Sequence, residues 1–208
     1  MAIKAVAFDY GNVISLSPVP GTMEKLAALT GLAVETIQDF DRKNRANLLD
    51  RGACDTRGYY YRLFSFAGAV PLEGNMDAIA KTDIDAWKRL NNDTVELMRI
   101  VKGLGCKTAI LSNMPGEFLN WAREAVPVFR EVDAGIFSCE LGAVKPEEAI
   151  YRSLRDALGC GYEVLVFFDD MADNIAKARA LGIHGFIFRE PEAAREELRA
   201  LDPLFASL

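Results

Sequence analysis

The chain lacks the marks of several protein classes. It has four cysteines, Cys54, Cys106, Cys139 and Cys160, none in CxxC spacing. They read as reduced, mostly buried thiols, not as a disulfide framework. No apolar run reaches the ~20 residues of a membrane span, so no membrane partner is expected. The opening stretch MAIKAVAFDYGNV has too short an apolar run, and an acid within it, to be a signal peptide. A cytoplasmic protein is expected. There is one histidine, His184, on or near a late β-like run; a lone histidine is not read as a site. Basic residues are few: 24 Lys and Arg stand against 30 Asp and Glu, for a net charge of -6. Such a surface repels nucleic-acid phosphates, so no nucleic-acid partner is expected. Internal repeats and low-complexity tracts are missing too.

Apolar material is plentiful. Half of the 208 residues are hydrophobic and 26% are charged, as in a soluble globular protein. That suffices for one large α/β domain, or for a core with a modest insert, held without metal or disulfide. Oligomeric state is open between monomer and homodimer.

Two textures run along the chain. Short apolar runs at 3–9, 107–112, 134–137, 164–169 and 183–188 read as buried parallel strands. Helical patterns separate the later ones. Asp93-Thr94-Val95-Glu96 reads as a capping box opening a helix to Gly103 or Gly105. Pro146 reads as the first residue of a helix to Leu158, stopped by Gly159. A further helix is expected over 171–181. This order predicts an α/β fold, a doubly wound parallel sheet. Residues 15–90 break the rhythm with helical patterns at 22–30, 33–43, 56–66 and 76–90 and no convincing strand. The expected organisation is a core of 1–14 plus 91–208, with a helical cap of 15–90 inserted after the first strand.

In such a sheet, ligands bind beyond the carboxyl ends of the strands. Asp9 ends the first run, Ser112 and Asn113 follow the second, and Asp169 and Asp170 close another. Lys145 precedes the helix expected at Pro146. Taken singly, each has a structural explanation: a turn, loop chemistry, a helix cap or a surface helix start. Taken together, in this order, they place polar groups on one rim. Three carboxylates together call for a cation, and oxygen ligands suit Mg²⁺ sharing a substrate phosphate. A neighbouring lysine binds phosphoryl oxygens, and a serine hydroxyl adds a donor. The set reads as a phosphoryl-transfer site with an aspartate nucleophile.

Across 3–14 and about 93–189 the chain resembles the haloacid-dehalogenase superfamily. The motifs are Ala5-Val-Ala-Phe-Asp9-Tyr-Gly-Asn-Val13, the strand ending in Ser112, Gly142-Ala-Val-Lys145-Pro146, and Asp169-Asp170 followed by Asp173-Asn174. The resemblance implies a Rossmann-like core with a helical cap and a Mg²⁺-dependent hydrolase of a small phosphorylated metabolite. By the same resemblance, Asp9 attacks phosphorus and forms an aspartyl-phosphate. Asp9, the Gly11 carbonyl and Asp170 hold Mg²⁺, with Asp169 a ligand or one shell out. Ser112, Asn113, Lys145 and Asn12 hold the phosphoryl group, and Asn174 orients the acidic loop.

One position departs from that pattern. Most phosphatases of the superfamily carry a second Asp two residues after the nucleophile, which protonates the leaving group and activates water. Here that position is Gly11, and the missing general acid–base step is typically worth ~10²–10⁴-fold. A rate that depends strongly on leaving-group acidity is therefore expected, unless a cap residue or the substrate takes part. The D-x-G-N-V form resembles the branch containing bacterial α-D-glucose-1-phosphate phosphatases, whose anomeric leaving group needs less protonation.

Two alternatives stand beside this reading. One is a metal-independent 2-haloacid dehalogenase, against which the acidic pair argues. The other is a non-catalytic binding domain on the same fold. Tyr59, Tyr60, Tyr61, Phe64 and Phe66 are expected mostly in the cap core, and Trp87 and Trp121 in packing.

Overall fold

The computed structural model describes residues 2–208. Five parallel strands form one sheet: β1 (Ala5–Phe8), β2 (Lys107–Ser112), β3 (Ala134–Phe137), β4 (Leu165–Asp169) and β5 (His184–Ile187). Their order is β3-β2-β1-β4-β5. The chain thus winds outward in both directions from β1, and the central strand carries Asp9 at its end. β1 registers Phe8 against Ile110 on one side and Phe168 on the other.

Alternation along the strands builds two cores. Val6, Phe8, Ile110, Val166 and Phe168 face one side, under α5 (Asn92–Gly103), α6 (Gly116–Ala125) and α11 (Pro191–Leu201). Ala5, Ala7, Ala109, Leu111, Leu165 and Phe167 face the other, under α9 (Glu148–Leu158) and α10 (Ala172–Ala180). α9 shows why these segments are helical. Ile150, Tyr151, Leu154 and Leu158 fall on one stripe, and Gly159, at φ +63°, returns its N–H to Arg155. Two short helices, α7 (Val128–Glu131) and α8 (Ser138–Leu141), flank β3. α6 and α11 were not anticipated in the sequence.

Between β1 and α5 lie α1 (Thr22–Thr30), α2 (Val34–Arg45), α3 (Thr56–Ala67) and α4 (Met76–Asp85), with a wide helical turn at Ala46–Asp50. They enclose a third apolar cluster, which includes Leu26, Ile37, Phe40, Tyr59, Tyr60, Phe64 and Ile79. Asp55 caps α3 by accepting from the Gly58 N–H at 2.7 Å. The segment leaves and rejoins the sheet through two stretches that pair Ser15 with Leu90 in antiparallel fashion. Among the described residues, no helix is long and apolar enough to cross a membrane.

Three local expectations are corrected. α4 ends at Asp85 instead of reaching Leu90, because residues 89–91 bond to the outgoing chain: Leu16 N–H to the Arg89 carbonyl and Asn91 N–H to that of Ile14. That pairing leaves Asn91 extended, so Asn91 and not Asp93 caps α5, accepting from the Thr94 N–H. Pro146 is not a helix start. Residues 144–147 form a turn closed by the Glu147 N–H on the Val144 carbonyl at 2.7 Å, and α9 begins at Glu148.

Candidate active site

The register fixes the site. Phe8 lies beside Phe168, so Asp9 and Asp169 emerge next to each other at the strand ends, with the Asp9 N–H on the Phe168 carbonyl at 2.9 Å. Lys145 reaches between them from the loop after α8. Its Nζ lies 2.7 Å from Asp9 Oδ1 and 2.6 Å from Asp169 Oδ2. Asp9, Lys145 and Asp169 are all buried.

Each member is held from behind. Asn113, after β2, accepts from the Lys145 N–H at 2.8 Å and donates to the Lys145 carbonyl at 3.2 Å. Its amide thus fixes the lysine backbone. Asn174 donates to both oxygens of Asp169 at 3.0 Å, and the Met171 N–H donates to Oδ1 at 2.8 Å. The Tyr151 hydroxyl donates to the Asn174 carbonyl at 2.9 Å. Asn12 donates to Asp170 Oδ2 at 2.7 Å. Ser112 is buried at the end of β2 and lines the same cavity as Asp9.

The turn after Asp9 places its left-handed residue one position beyond the glycine. Gly11 has φ -64°, open to any L-residue, whereas Asn12 takes the left-handed conformation at φ +56°. Asparagine tolerates that region. A Cβ built on Gly11 would lie 3.4 Å from the Trp87 ring, so the indole covers the face where a side chain at 11 would stand.

Burial and charge oppose each other here. Burial pushes the Asp9 carboxyl up from 3.8 to about 7; Lys145 pulls it down and Asp169 pushes it further up. Burial works against the charge of Lys145, but the two carboxylates outweigh it and raise its pKa. Asp170 is raised by burial, against the Asn12 hydrogen bond. Two carboxylates sharing one lysine, with a third beside them, leave negative charge for a cation to balance. Asp9, Asp169 and Asp170 each offer an oxygen within 4.8 Å of the others, an all-oxygen donor set that fits Mg²⁺.

The site opens into a cavity of about 520 Å³. Asp9, Gly11, Asn12, Ser112, Asn113, Lys145, Asp170 and Asn174 line it, and buried Asp169 stands behind Lys145. The sequence reading missed the opposite wall. Asp41 and Arg45 of α2, Asp50 after it, Asp83 of α4 and Trp87 face the same space. Arg45 Nη1 lies 3.1 Å from Asp83 and 3.9 Å from Asp41, and Nε lies 3.6 Å from Asp50. The only local signal was the i, i+4 pairing of Asp41 and Arg45. His184 is remote; its Nε2 sits 3.1 Å from the Glu163 carbonyl. Tyr59, Tyr60 and Phe64 are buried, while Phe66 is exposed.

A doubly wound sheet whose central strand ends in a buried aspartate, a buried lysine between two aspartates and a third carboxylate at the rim together point to one hydrolase class. The chain belongs to the haloacid dehalogenase-like hydrolases, whose family model matches residues 3–182. Phosphatase MT3486 of Mycobacterium tuberculosis is 26% identical over 192 residues, 90% of this chain and 88% of that protein. Sesquiterpene phosphatase astK of Aspergillus oryzae is 27% identical over 201 residues, 95% and 96% of the two chains. The fold matches the HAD family enzyme bt-2542 of Bacteroides thetaiotaomicron, crystallised with magnesium and inorganic phosphate, at a TM-score of 0.72 and 17% identity. That match covers 90% of this chain and 95% of the other.

Proposed function

We propose that the protein is a Mg²⁺-dependent phosphatase of small phosphorylated metabolites, working through an aspartyl-phosphate on Asp9. The observation that carries the reading is the trio of Asp9, Lys145 and Asp170 at one cavity floor. A carbon-attacking dehalogenase has no use for Asp170 held at the rim by Asn12. A pure binding domain has no need of a buried lysine bracketed by two carboxylates. Two phosphatases similar over most of their length, and a similar fold crystallised with magnesium and phosphate, support the same class.

Asp9 Oδ attacks phosphorus in line, and the bond to the leaving oxygen breaks. Lys145 and Ser112 bind phosphoryl oxygens, and the lysine pulls the Asp9 carboxyl toward its ionised, nucleophilic form. Asn113 holds the lysine's backbone. Asn174 aims Asp169 at the lysine, and Asn12 aims Asp170 at the rim. Bound at Asp9, the Gly11 carbonyl and Asp170, with Asp169 nearby, Mg²⁺ would neutralise phosphoryl charge as it develops. Residues 15–90 act as a cap whose wall meets the leaving group. Sugar 1-phosphates, whose anomeric leaving group needs less protonation, are among the substrates to test. Phosphate release from sugar phosphates, nucleotides and acyl phosphates, with and without Mg²⁺, tests the reading. Chloride release from 2-chloropropionate in chelator, with no phosphate released, would replace it with the dehalogenase.

A further inference from the structure

One carboxyl of the cavity wall is held only by a loose ion pair. Asp83 is engaged by Arg45 at 3.1 and 3.2 Å, and Asp41 accepts from the Tyr59 hydroxyl at 2.6 Å. Asp50 differs. Its side chain is 13% exposed and lines the cavity, with Arg45 Nε at 3.6 Å, beyond hydrogen-bond distance. Among the described residues, no hydrogen bond reaches its carboxylate.

The backbone at Asp50 is nonetheless firmly anchored. The Ser138 hydroxyl donates to the Asp50 carbonyl and accepts from the Met114 N–H at 3.0 Å. Next along the chain, Arg51 donates to the Gly142 carbonyl at 2.8 Å and pairs with Glu147. Gly52 packs so closely on Cys139 that a Cβ there would lie 2.7 Å from its carbonyl oxygen. Gly142 and Glu147 flank the loop that carries Lys145. Asp50 is therefore held to the core beside the loop of Lys145, while its side chain lines the same cavity as Asp9.

We propose that Asp50 is the general acid–base that replaces the side chain missing at Gly11. The step rests on the phosphatase reading. As Asp9 attacks phosphorus, the leaving oxygen takes the proton of Asp50, and the alcohol departs. Water then attacks the aspartyl-phosphate and gives a proton to Asp50, which frees phosphate and restores the Asp9 carboxylate. One phosphate ester and one water become one alcohol and one phosphate, and Asp50 ends as it began.

The surroundings suit a group that must hold and release a proton near neutrality. Burial pushes the Asp50 carboxyl up to about 6; Arg45 and Lys145 lower it, and Asp83 and Asp41 raise it. Those four are the charged groups facing it from α2, α4 and the loop of Lys145. A carboxyl poised there serves as acid and as base.

The test is pre-steady-state kinetics of Asp50→Asn against the unmodified enzyme. With p-nitrophenyl phosphate, the variant should keep a burst of nitrophenolate, because that leaving group needs little acid, while its steady-state rate falls. With glycerol phosphate, kcat should fall ~10²–10⁴-fold, the usual worth of a positioned acid. The limb near pH 6 in kcat/KM should vanish. Equal loss of burst and steady state, or an unchanged limb, overturns the role. If Asp50→Asn fails to fold by circular dichroism, Asp50→Glu decides, since it should move the limb, and an unmoved limb overturns the proposal. A wild-type enzyme that releases phosphate from nothing sinks the phosphatase reading and this role together. An active wild type with an unaffected variant sinks this role alone.

Discussion

Lys145 and Asp169 form a wholly sequestered ion pair, 2.6 Å from Nζ to Oδ2, with side chains 1% and 0% exposed. The lysine also serves Asp9, so removing it strands two carboxylates. Lys145→Met should abolish turnover and lower stability by about 3–5 kcal/mol, the usual consequence of breaking a buried pair from one side. Adding Asp169→Asn should recover part of the stability and none of the activity. Urea unfolding of the single and double variants measures both effects. A double variant no more stable than Lys145→Met would mean that Asp169 is not the stranded charge.

Asp9→Asn should lose at least the activity that a nucleophile supplies and gain stability in a pH-dependent way. Burial raises the folded-state value of Asp9 from 3.8 to about 7. An acid raised in the folded state contributes stability that is complete below its unfolded value and is lost as pH rises through the folded one. In chelator, the wild type should therefore weaken between about pH 4 and 7 relative to Asp9→Asn. Melting curves at pH 5 and pH 8 should show a gap that is wider at pH 8. A gap of equal size at both would show that Asp9 is already ionised at pH 5.

The rim carboxylates predict a metal effect that needs no substrate. Mg²⁺ bound only by the folded chain stabilises it by roughly 2.7 kcal/mol at a hundredfold excess over Kd. The wild type should melt higher in Mg²⁺ than in EDTA, and Asp170→Asn should show little of that difference. Full activity in EDTA, with no thermal shift in the wild type, would exclude Mg²⁺ at these carboxylates.

Much of this architecture was legible because buried parallel strands leave a strong local trace. Residues 107–112 and 134–137 stand out as apolar runs, and polar residues mark their ends. Asp9, Ser112, Lys145 and Asp169 sit at junctions that sequence order alone exposes. The wall facing them was not legible. Asp50 and Asp83 lie 33 residues apart on different elements, and only the packing of α2 against its neighbours brings both to Arg45. The backbone at Gly11 was also invisible. The left-handed residue of that turn is Asn12 and not the glycine before it. The missed cap at Asn91 has a similar cause, since a long-range pairing of residues 15 and 90 overrode a local capping pattern.

Gly11→Asp tests why the position is empty. The backbone permits a side chain, since φ is -64°. Gly→Ala at such a site gains ~0.4–1 kcal/mol through the unfolded chain. A Cβ meets the Trp87 ring at 3.4 Å, close to ordinary contact, so Gly11→Ala should be near neutral. A carboxylate is bulkier and crowds the indole that the Cβ already touches. The Trp87 backbone is tied down, because its carbonyl accepts from the Tyr10 hydroxyl at 3.0 Å. Gly11→Asp should then lose roughly 1–3 kcal/mol, as overpacked sites do, and Trp87→Ala in the same chain should return part of it. The added acid should also restore turnover of alkyl phosphates in an Asp50→Asn background once Trp87 is trimmed. Melting temperatures of the three variants settle the packing argument. Gly11→Asp as stable as the wild type would show that the indole yields freely, and that steric exclusion does not keep this position a glycine.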